Sequence, residues 1–228
     1  MKHKGKARQA GMRLIGWTLV LLGAILGGGI AAVLIGSFVA FASGALIAVW
    51  VLFALFSLYF FRDPDPVAPS DPRAVVSPAH GTVDVIDETT ETKVMGGPCR
   101  RISIFLSVIN VHVQQAPVNG KVWFLEHKPG AFMSATKAHC AEHNESVLIG
   151  LNATDFHEAR VGLRLIAGLI ARRILPWVNV GDTVARSERI SLIQFGSRVE
   201  IFLPLAARIQ VKLGDKVKGG ETIVALMP

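Results

Sequence analysis

The stretch SLIQFGSRVEIFLP, Ser191 to Pro204, decides how the rest of the chain is read. Two apolar, strand-like runs flank the tripeptide Phe195-Gly196-Ser197. A tight turn between buried strands is the plain reading, because glycine and serine are turn residues. The sharper reading is a backbone that cuts itself, since a hydroxyl follows directly on a glycine carbonyl. The dipeptide alone settles nothing, for Gly36-Ser37 repeats it inside an apolar run.

An internal repeat surrounds this junction. VNVGDTVARSERISLI, Val178 to Ile193, and VKLGDKVKGGETIVAL, Val211 to Leu226, share Gly-Asp, Val, Glu and Ile at a constant offset of 33 residues. Each copy reads as strand, Gly-Asp turn, strand, turn, strand, and two such hairpin units are expected to pack face to face as a small sandwich or barrel-like body. The pattern resembles biotinyl/lipoyl-type hammerhead modules. No lysine stands at the carrier position of such a module, which argues against a swinging-arm carrier. The junction at Gly196-Ser197 falls between the copies, where strands on both sides can hold it in a strained or polarised geometry.

Upstream, short Val- and Ile-rich runs punctuated by Gly and Pro predict strands at Ala74–Val76, Thr82–Ile86, Ile102–Val113, Lys121–Leu125 and Ser146–Leu151. One short helix is expected over Phe132–Glu142. The fold class is therefore mainly β, a β-rich α+β domain of hammerhead- or barrel-like hairpin units.

The first quarter of the chain is different. The 228 residues are 51% hydrophobic, with mean hydropathy +0.45, high for a soluble protein. No charged residue lies between Arg13 and Arg62. That run is too long for one membrane span of about 20 residues. Two transmembrane helices, Leu14–Leu34 and Ser37–Phe60, joined by a very short turn, are expected, with Gly27-Gly28-Gly29 allowing close packing or a kink. A cleaved signal peptide is disfavoured, because its apolar core is short. Lys2, Lys4, Lys6, Arg8 and Arg13 precede the first span and orient the N-terminus to the cytoplasm. Residues 1–62 thus form an anchor and 63–228, after the proline-rich RDPDPVAPSDPR, a cytoplasmic domain. The net charge of +7 is compatible with nucleic acid or an anionic membrane. Many basic residues sit beside apolar runs, which favours membrane over nucleic acid. Two cysteines, Cys99 and Cys140, indicate no disulfide framework and read as free structural thiols.

YFFRDPDP from Tyr59, FLSVINVHVQQAPVNGKV from Phe105 and RISLIQFGSRVEIFLP up to Pro204, in that order, resemble the short, bacterial form of the phosphatidylserine decarboxylase family. The resemblance runs from Tyr59 to Pro228, with the paired spans also matching. It implies a proenzyme in which Ser197 attacks the Gly196 carbonyl to give an ester. Elimination and hydrolysis then leave a covalent pyruvoyl group at the new N-terminus, on a small chain starting at Ser197, with a large chain ending at Gly196. Glycine permits close approach, and the serine β-oxygen is both nucleophile and leaving group. The pyruvoyl ketone would form a Schiff base with the substrate amine and act as electron sink for decarboxylation. The product is phosphatidylethanolamine, and no metal is required. The implied partners are phosphatidylserine and the bilayer of a bacterial inner membrane, with the catalytic domain on its cytoplasmic face; a homo-oligomer is left open.

The same resemblance assigns His112 as general base for Ser197 and as an acid in decarboxylation. SPAHGTVD places His80 where many members carry an aspartate that would orient the histidine. Asp84 is a candidate substitute, and His80 itself a candidate base. Asn144 and Glu145 match the first two residues of an Asn-Glu-Arg-Asn run and are candidates for shaping the headgroup site. Arg198 is a candidate for attracting the phosphodiester.

Two rival readings stand beside this one. His139-Cys140-Ala141-Glu142-His143 fits the H-x-x-E-H pattern, in which histidines four apart on a helix share a zinc ion. That would make a membrane-tethered metalloprotease. A non-enzymatic membrane adaptor would use the spans and the repeat alone and stay a single chain.

Overall fold

The computed structural model describes residues 6–131, 143–157, 159–168, 173–194 and 196–228. The expected helix at Phe132–Glu142 lies outside the described residues, as does Cys140. The chain divides into two compact units, Met1–Ser57 and Leu58–Pro228.

The first unit is helical. Helix α1 is continuous over Lys6–Phe60, 55 residues, where two helices were expected. Nothing in the sequence between its ends breaks a helix outright: there is no proline and no Asn or Asp turn residue. At Gly36-Ser37, the position expected to turn, the Ser37 hydroxyl donates to the Leu34 carbonyl one turn back at 3.0 Å. Large apolar side chains stand exposed along the helix.

The second unit is built from strands. They are β1 (Ala74–Val76), β2 (Gly81–Glu91), β3 (Gly97–Leu106), β4 (Val113–Gln115), β5 (Gly120–Lys128), β6 (Ser146–Ala153) and β7 (Ala159–Ala167). The second set comprises β8 (Ile174–Pro176), β9 (Thr183–Val184), β10 (Arg189–Ile193), β11 (Ser197–Leu203), β12 (Arg208–Ile209), β13 (Lys216–Val217) and β14 (Ile223–Leu226). An eight-stranded antiparallel sheet runs β13-β2-β3-β11-β7-β6-β5-β9, and two three-stranded sheets run β1-β14-β12 and β4-β10-β8.

This order has an approximate internal twofold pattern. Exchanging β1 for β4, β2 for β5, β3 for β6, β11 for β7 and β12–β14 for β8–β10 leaves all three sheets unchanged. The repeat copies occupy equivalent places within it. Gly181 and Asp182 exchange backbone hydrogen bonds with Val122 of β5, and Gly214 and Asp215 do the same with Val83 of β2. Both glycines have positive φ, 104° and 89°. The copies are not the self-contained hairpins read from the sequence. β9 pairs with β5, β10 with β4 and β8, β13 with β2, and β14 with β1 and β12. Strands of two to five residues bury too little to stand as isolated hairpins, so each is completed by a distant partner.

The run Ile102–Val113, read as one strand, is interrupted. Ser107–Asn110 forms a turn in which the Asn110 amide donates to the Ser107 carbonyl and Asn110 Oδ1 accepts from the Ser107 amide and hydroxyl. Asparagine supplies a side-chain acceptor that completes such turns. His112 therefore precedes β4 rather than lying within a strand.

β11 and β7 are the central pair of the large sheet. Along β11 the alternation places Val199, Ile201 and Leu203 in the main apolar core. Arg198, Glu200 and Phe202 face the other side, where Phe202 joins a smaller cluster with Val94, Cys99 and Leu148. Ser197, at the start of β11, shares the side of Val199.

Candidate active site

The Gly196–Ser197 peptide sits where three elements meet. Ser197 pairs with Leu106 of β3 and Ala167 of β7, so strands clamp the junction on both sides. Gly196 has φ +69°, a left-handed conformation that side chains beyond glycine adopt at a cost. Its carbonyl accepts from the Gly168 amide at 3.1 Å, and its own amide donates to His112 Nε2 at 3.1 Å. Both polar ends of the residue before the junction are thus held. The Ser197 hydroxyl is fully buried and has no hydrogen-bond partner among the described residues. A buried hydroxyl without a partner costs about 1–3 kcal/mol, and such groups concentrate at reactive positions.

His112 is buried at 1% exposure. Its Nδ1 lies 2.9 Å from the Asn110 carbonyl. A carbonyl only accepts, so Nδ1 carries the proton and Nε2 presents its lone pair to the junction. Phe60 stacks on the ring at 4.3 Å between centroids. Burial is the main reason its pKa is lowered to about 4, with the Arg62 charge adding to it against the Asn110 hydrogen bond. The imidazole is neutral at pH 7.

Arg62 links several parts of this region. It donates to the Tyr59 and Ile109 carbonyls, and its charge also acts on His80. The His80 imidazole is lowered chiefly by burial, against the pull of Glu221 and with Arg62 and Lys218 adding. His80 lies against the Lys218–Gly220 turn; a Cβ on Gly219 would stand 3.1 Å from its ring.

Asp84 does not orient His112; a backbone carbonyl does. Asp84 is the extra residue of a β-bulge between Val83 and Val85, which takes it out of alternation. Its carboxylate grips the Arg198 guanidinium with two bonds, 2.8 and 2.5 Å. Arg198 also donates to Ser103 at 2.6 Å and is fully buried. By alternation it lies on the face of β11 opposite Ser197. The same face carries Glu200, bonded to Arg101 and Arg164. Burial pushes the Glu200 carboxyl up despite three neighbouring arginines.

Asn144 is fully buried and donates through Nδ2 to the Ala167 carbonyl at 2.7 Å. Glu145 meets His127 at 3.0 Å. In the H-x-x-E-H pattern, His139 and Glu142 lie outside the described residues and His143 is exposed. Among the described residues no three His, Cys, Asp or Glu side chains converge as metal ligands.

Sequence reasoning missed Phe60, Asn110 and Gly168. Asn110 carried a readable signal, an asparagine two residues before His112 in a turn. Gly168 carried none, because a backbone donor is invisible until the strands are paired.

The family model for phosphatidylserine decarboxylase matches residues 53–225. The chain belongs to the phosphatidylserine decarboxylase family. Among curated relatives, the phosphatidylserine decarboxylase proenzyme of Desulfotalea psychrophila is 43% identical over 176 residues, covering 77% of this chain and 81% of the relative. That of Symbiobacterium thermophilum is 40% identical over 200 residues, covering 85% and 92%. That of Pelobacter propionicus is 44% identical over 181 residues, covering 78% and 79%. The family match covers both the Gly196–Ser197 junction and the His112 turn, and it favours neither the metalloprotease nor the adaptor reading.

Proposed function

We propose that this chain is a self-cleaving proenzyme that decarboxylates phosphatidylserine to phosphatidylethanolamine. The observation that carries the reading is the junction itself: a buried hydroxyl, unpartnered among the described residues, directly after a glycine carbonyl whose oxygen is pinned by an amide donor. In the first step His112 Nε2 releases the Gly196 amide hydrogen, the Ser197 Oγ–H bond breaks and its proton passes to the freed Nε2. Oγ bonds to the Gly196 carbonyl carbon, and the carbonyl oxygen takes up negative charge against the Gly168 N–H. Collapse breaks the C–N bond, the Ser197 nitrogen gains a proton, and an ester results. Loss of the Ser197 Cα proton and departure of the Gly196 carboxylate leave dehydroalanine, which water converts to a pyruvoyl end with release of ammonia. His112 is neutral and so open to a proton; its depressed pKa makes it a weak base but a strong acid once protonated, suited to returning that proton.

The residues present fit a pyruvoyl group at position 197, since the serine that would become it starts a buried strand and its hydroxyl is already unpaired. When formed, that group supplies an electron-withdrawing ketone for the substrate amine. His112 remains beside it to move protons, with Phe60 and Arg62 shaping its surroundings. His80 is a further candidate, and the charge of Arg62 acts on both imidazoles. Asp84 and Arg198 support β11 from the opposite face.

The apolar segment Ile15–Phe60, 46 residues, would measure roughly 70 Å as one helix. A bilayer core is about 30 Å thick, so in lipid we place two spans there, turning near Gly36-Ser37. The basic N-terminus then keeps both ends, and the catalytic unit, on the cytoplasmic side of a bacterial inner membrane. Phosphatidylserine would reach the site from that surface. The test is a denaturing gel and activity assay of the full chain and of Ser197→Ala. The reading expects a fragment Ser197–Pro228 and decarboxylation from the first, and an intact, inactive chain from the second. Normal turnover by Ser197→Ala would refute it.

A further inference from the structure

The Ala167–Gly168 peptide is bonded at both ends. Its carbonyl accepts from Asn144 Nδ2 at 2.7 Å. Its N–H, carried by Gly168, donates to the Gly196 carbonyl at 3.1 Å. These two bonds share one peptide unit, so charge drawn out at its oxygen makes its N–H a stronger donor. The N–H points at the oxygen that becomes negative when Ser197 attacks. We infer that Asn144 is a positioning residue of self-cleavage, acting through the Ala167–Gly168 peptide on the scissile carbonyl, rather than a headgroup ligand. The inference rests on the self-cleavage proposed above.

The surroundings are built to hold Asn144 in this role. It is fully buried, and only its NH2 end can face a carbonyl. Ala131 bridges its backbone: the Ala131 amide donates to the His143 carbonyl at 2.7 Å, and the Glu145 amide to the Ala131 carbonyl at 3.1 Å. Gly130 lies so close that a Cβ there would come within 2.4 Å of the Asn144 carbonyl carbon. The Ala167 amide, in the preceding peptide unit, donates to the Glu145 carbonyl at 2.9 Å, so Ala167 is tied to the 143–145 segment through both its amide and its carbonyl. A side chain meant to meet a lipid headgroup would need an open polar end toward solvent; Asn144 is fully buried and its Nδ2 is held by the Ala167 carbonyl.

The step it assists is the nitrogen-to-oxygen acyl shift, and that step can be read apart from turnover. Hydroxylamine splits the ester but not the original amide, so hydroxylamine-dependent scission counts ester formed. The experiment follows precursor decay in full-length protein, with and without hydroxylamine, for wild type, Asn144→Asp, Asn144→Ser, Gly168→Ala and Gly168→Pro. Gly168→Pro deletes the donor, and cleavage should slow by about 100-fold or more, the usual effect of losing an oxyanion donor. Gly168→Ala keeps the donor and should cleave faster than Gly168→Pro. Asn144→Asp and Asn144→Ser each remove the Nδ2 bond and should slow ester formation about fivefold to tenfold. Asn144→Ser serves if the buried carboxylate of Asn144→Asp prevents folding. The decisive arm is the double variant Asn144→Ser with Gly168→Pro. If Asn144 acts through the peptide, the double is no slower than Gly168→Pro alone. Full additivity, or wild-type cleavage with only a raised KM for phosphatidylserine, would overturn the inference. A wild-type chain that never cleaves would instead overturn the proenzyme reading.

Discussion

His112 Nε2 accepts the Gly196 amide hydrogen at 3.1 Å while Nδ1 is committed to the Asn110 carbonyl. The base and the junction are thereby fixed to each other before any chemistry occurs. His112→Gln keeps a polar side chain but loses the basic nitrogen. Precursor half-life should lengthen by about 100-fold or more, the range typical of a lost general base, as read on a denaturing gel.

The same burial has a consequence for stability. The His112 pKa is lowered to about 4 in the folded chain, against about 6.5 when unfolded. Between those values the unfolded chain binds a proton that the folded chain does not, so stability falls as pH drops from about 6.5 to about 4, by up to about 1.4 kcal/mol per unit. Above that window His112 contributes no slope. Denaturant midpoints of Ser197→Ala, which stays intact, measured across pH with and without His112→Gln, should show a steeper fall where His112 is present, the part that remains coming from other groups such as His80, also lowered by burial.

Asp84, itself solvent-exposed, holds the fully buried Arg198 guanidinium in a two-pronged ion pair under β11. Removing the carboxylate leaves the buried guanidinium uncompensated; the cost is below the roughly 3–5 kcal/mol of a pair with both members buried, because solvent reaches Asp84. Asp84→Asn should lower the thermal midpoint strongly. The double variant Asp84→Asn with Arg198→Met should recover part of that loss. A raised KM with an unchanged midpoint would instead give Arg198 a role at the substrate.

Gly196 holds φ +69°, and a Cβ there would make only an ordinary van der Waals contact with Val108 at 3.7 Å among the described residues. The obstacle to substitution is conformational, about 1–2 kcal/mol for an ordinary residue. Cleavage rates should therefore rank Gly196 above Asn, Asn above Ala, and Ala above Val, since Asn tolerates this region and β-branched residues do not. Quantifying precursor decay for the three variants checks the order.

Much of this molecule was readable from local chemistry. The apolar runs at Thr82–Ile86, Lys121–Leu125 and Ser146–Leu151 are strands, and the alternation in RVEIFL puts Arg198 and Ser197 on opposite faces of β11. What local pattern could not supply was pairing. Asp84 reached Arg198 rather than His112 because a bulge re-aimed it. The repeat copies joined strands far along the chain because two- to five-residue strands cannot stand alone. The donor at Gly168 is a backbone group that no residue type announces. In α1 a glycine-serine pair without proline permits a turn but does not impose one, so local sequence does not fix the turn proposed for lipid.

The central claim is most directly tested by the intact mass of the purified, active full-length protein. The account predicts two polypeptides, residues 1–196 and 197–228. The smaller should be lighter than its plain hydrolysis product by one ammonia, as a pyruvoyl end in place of serine requires. A single unbroken chain in a fully active preparation would contradict it.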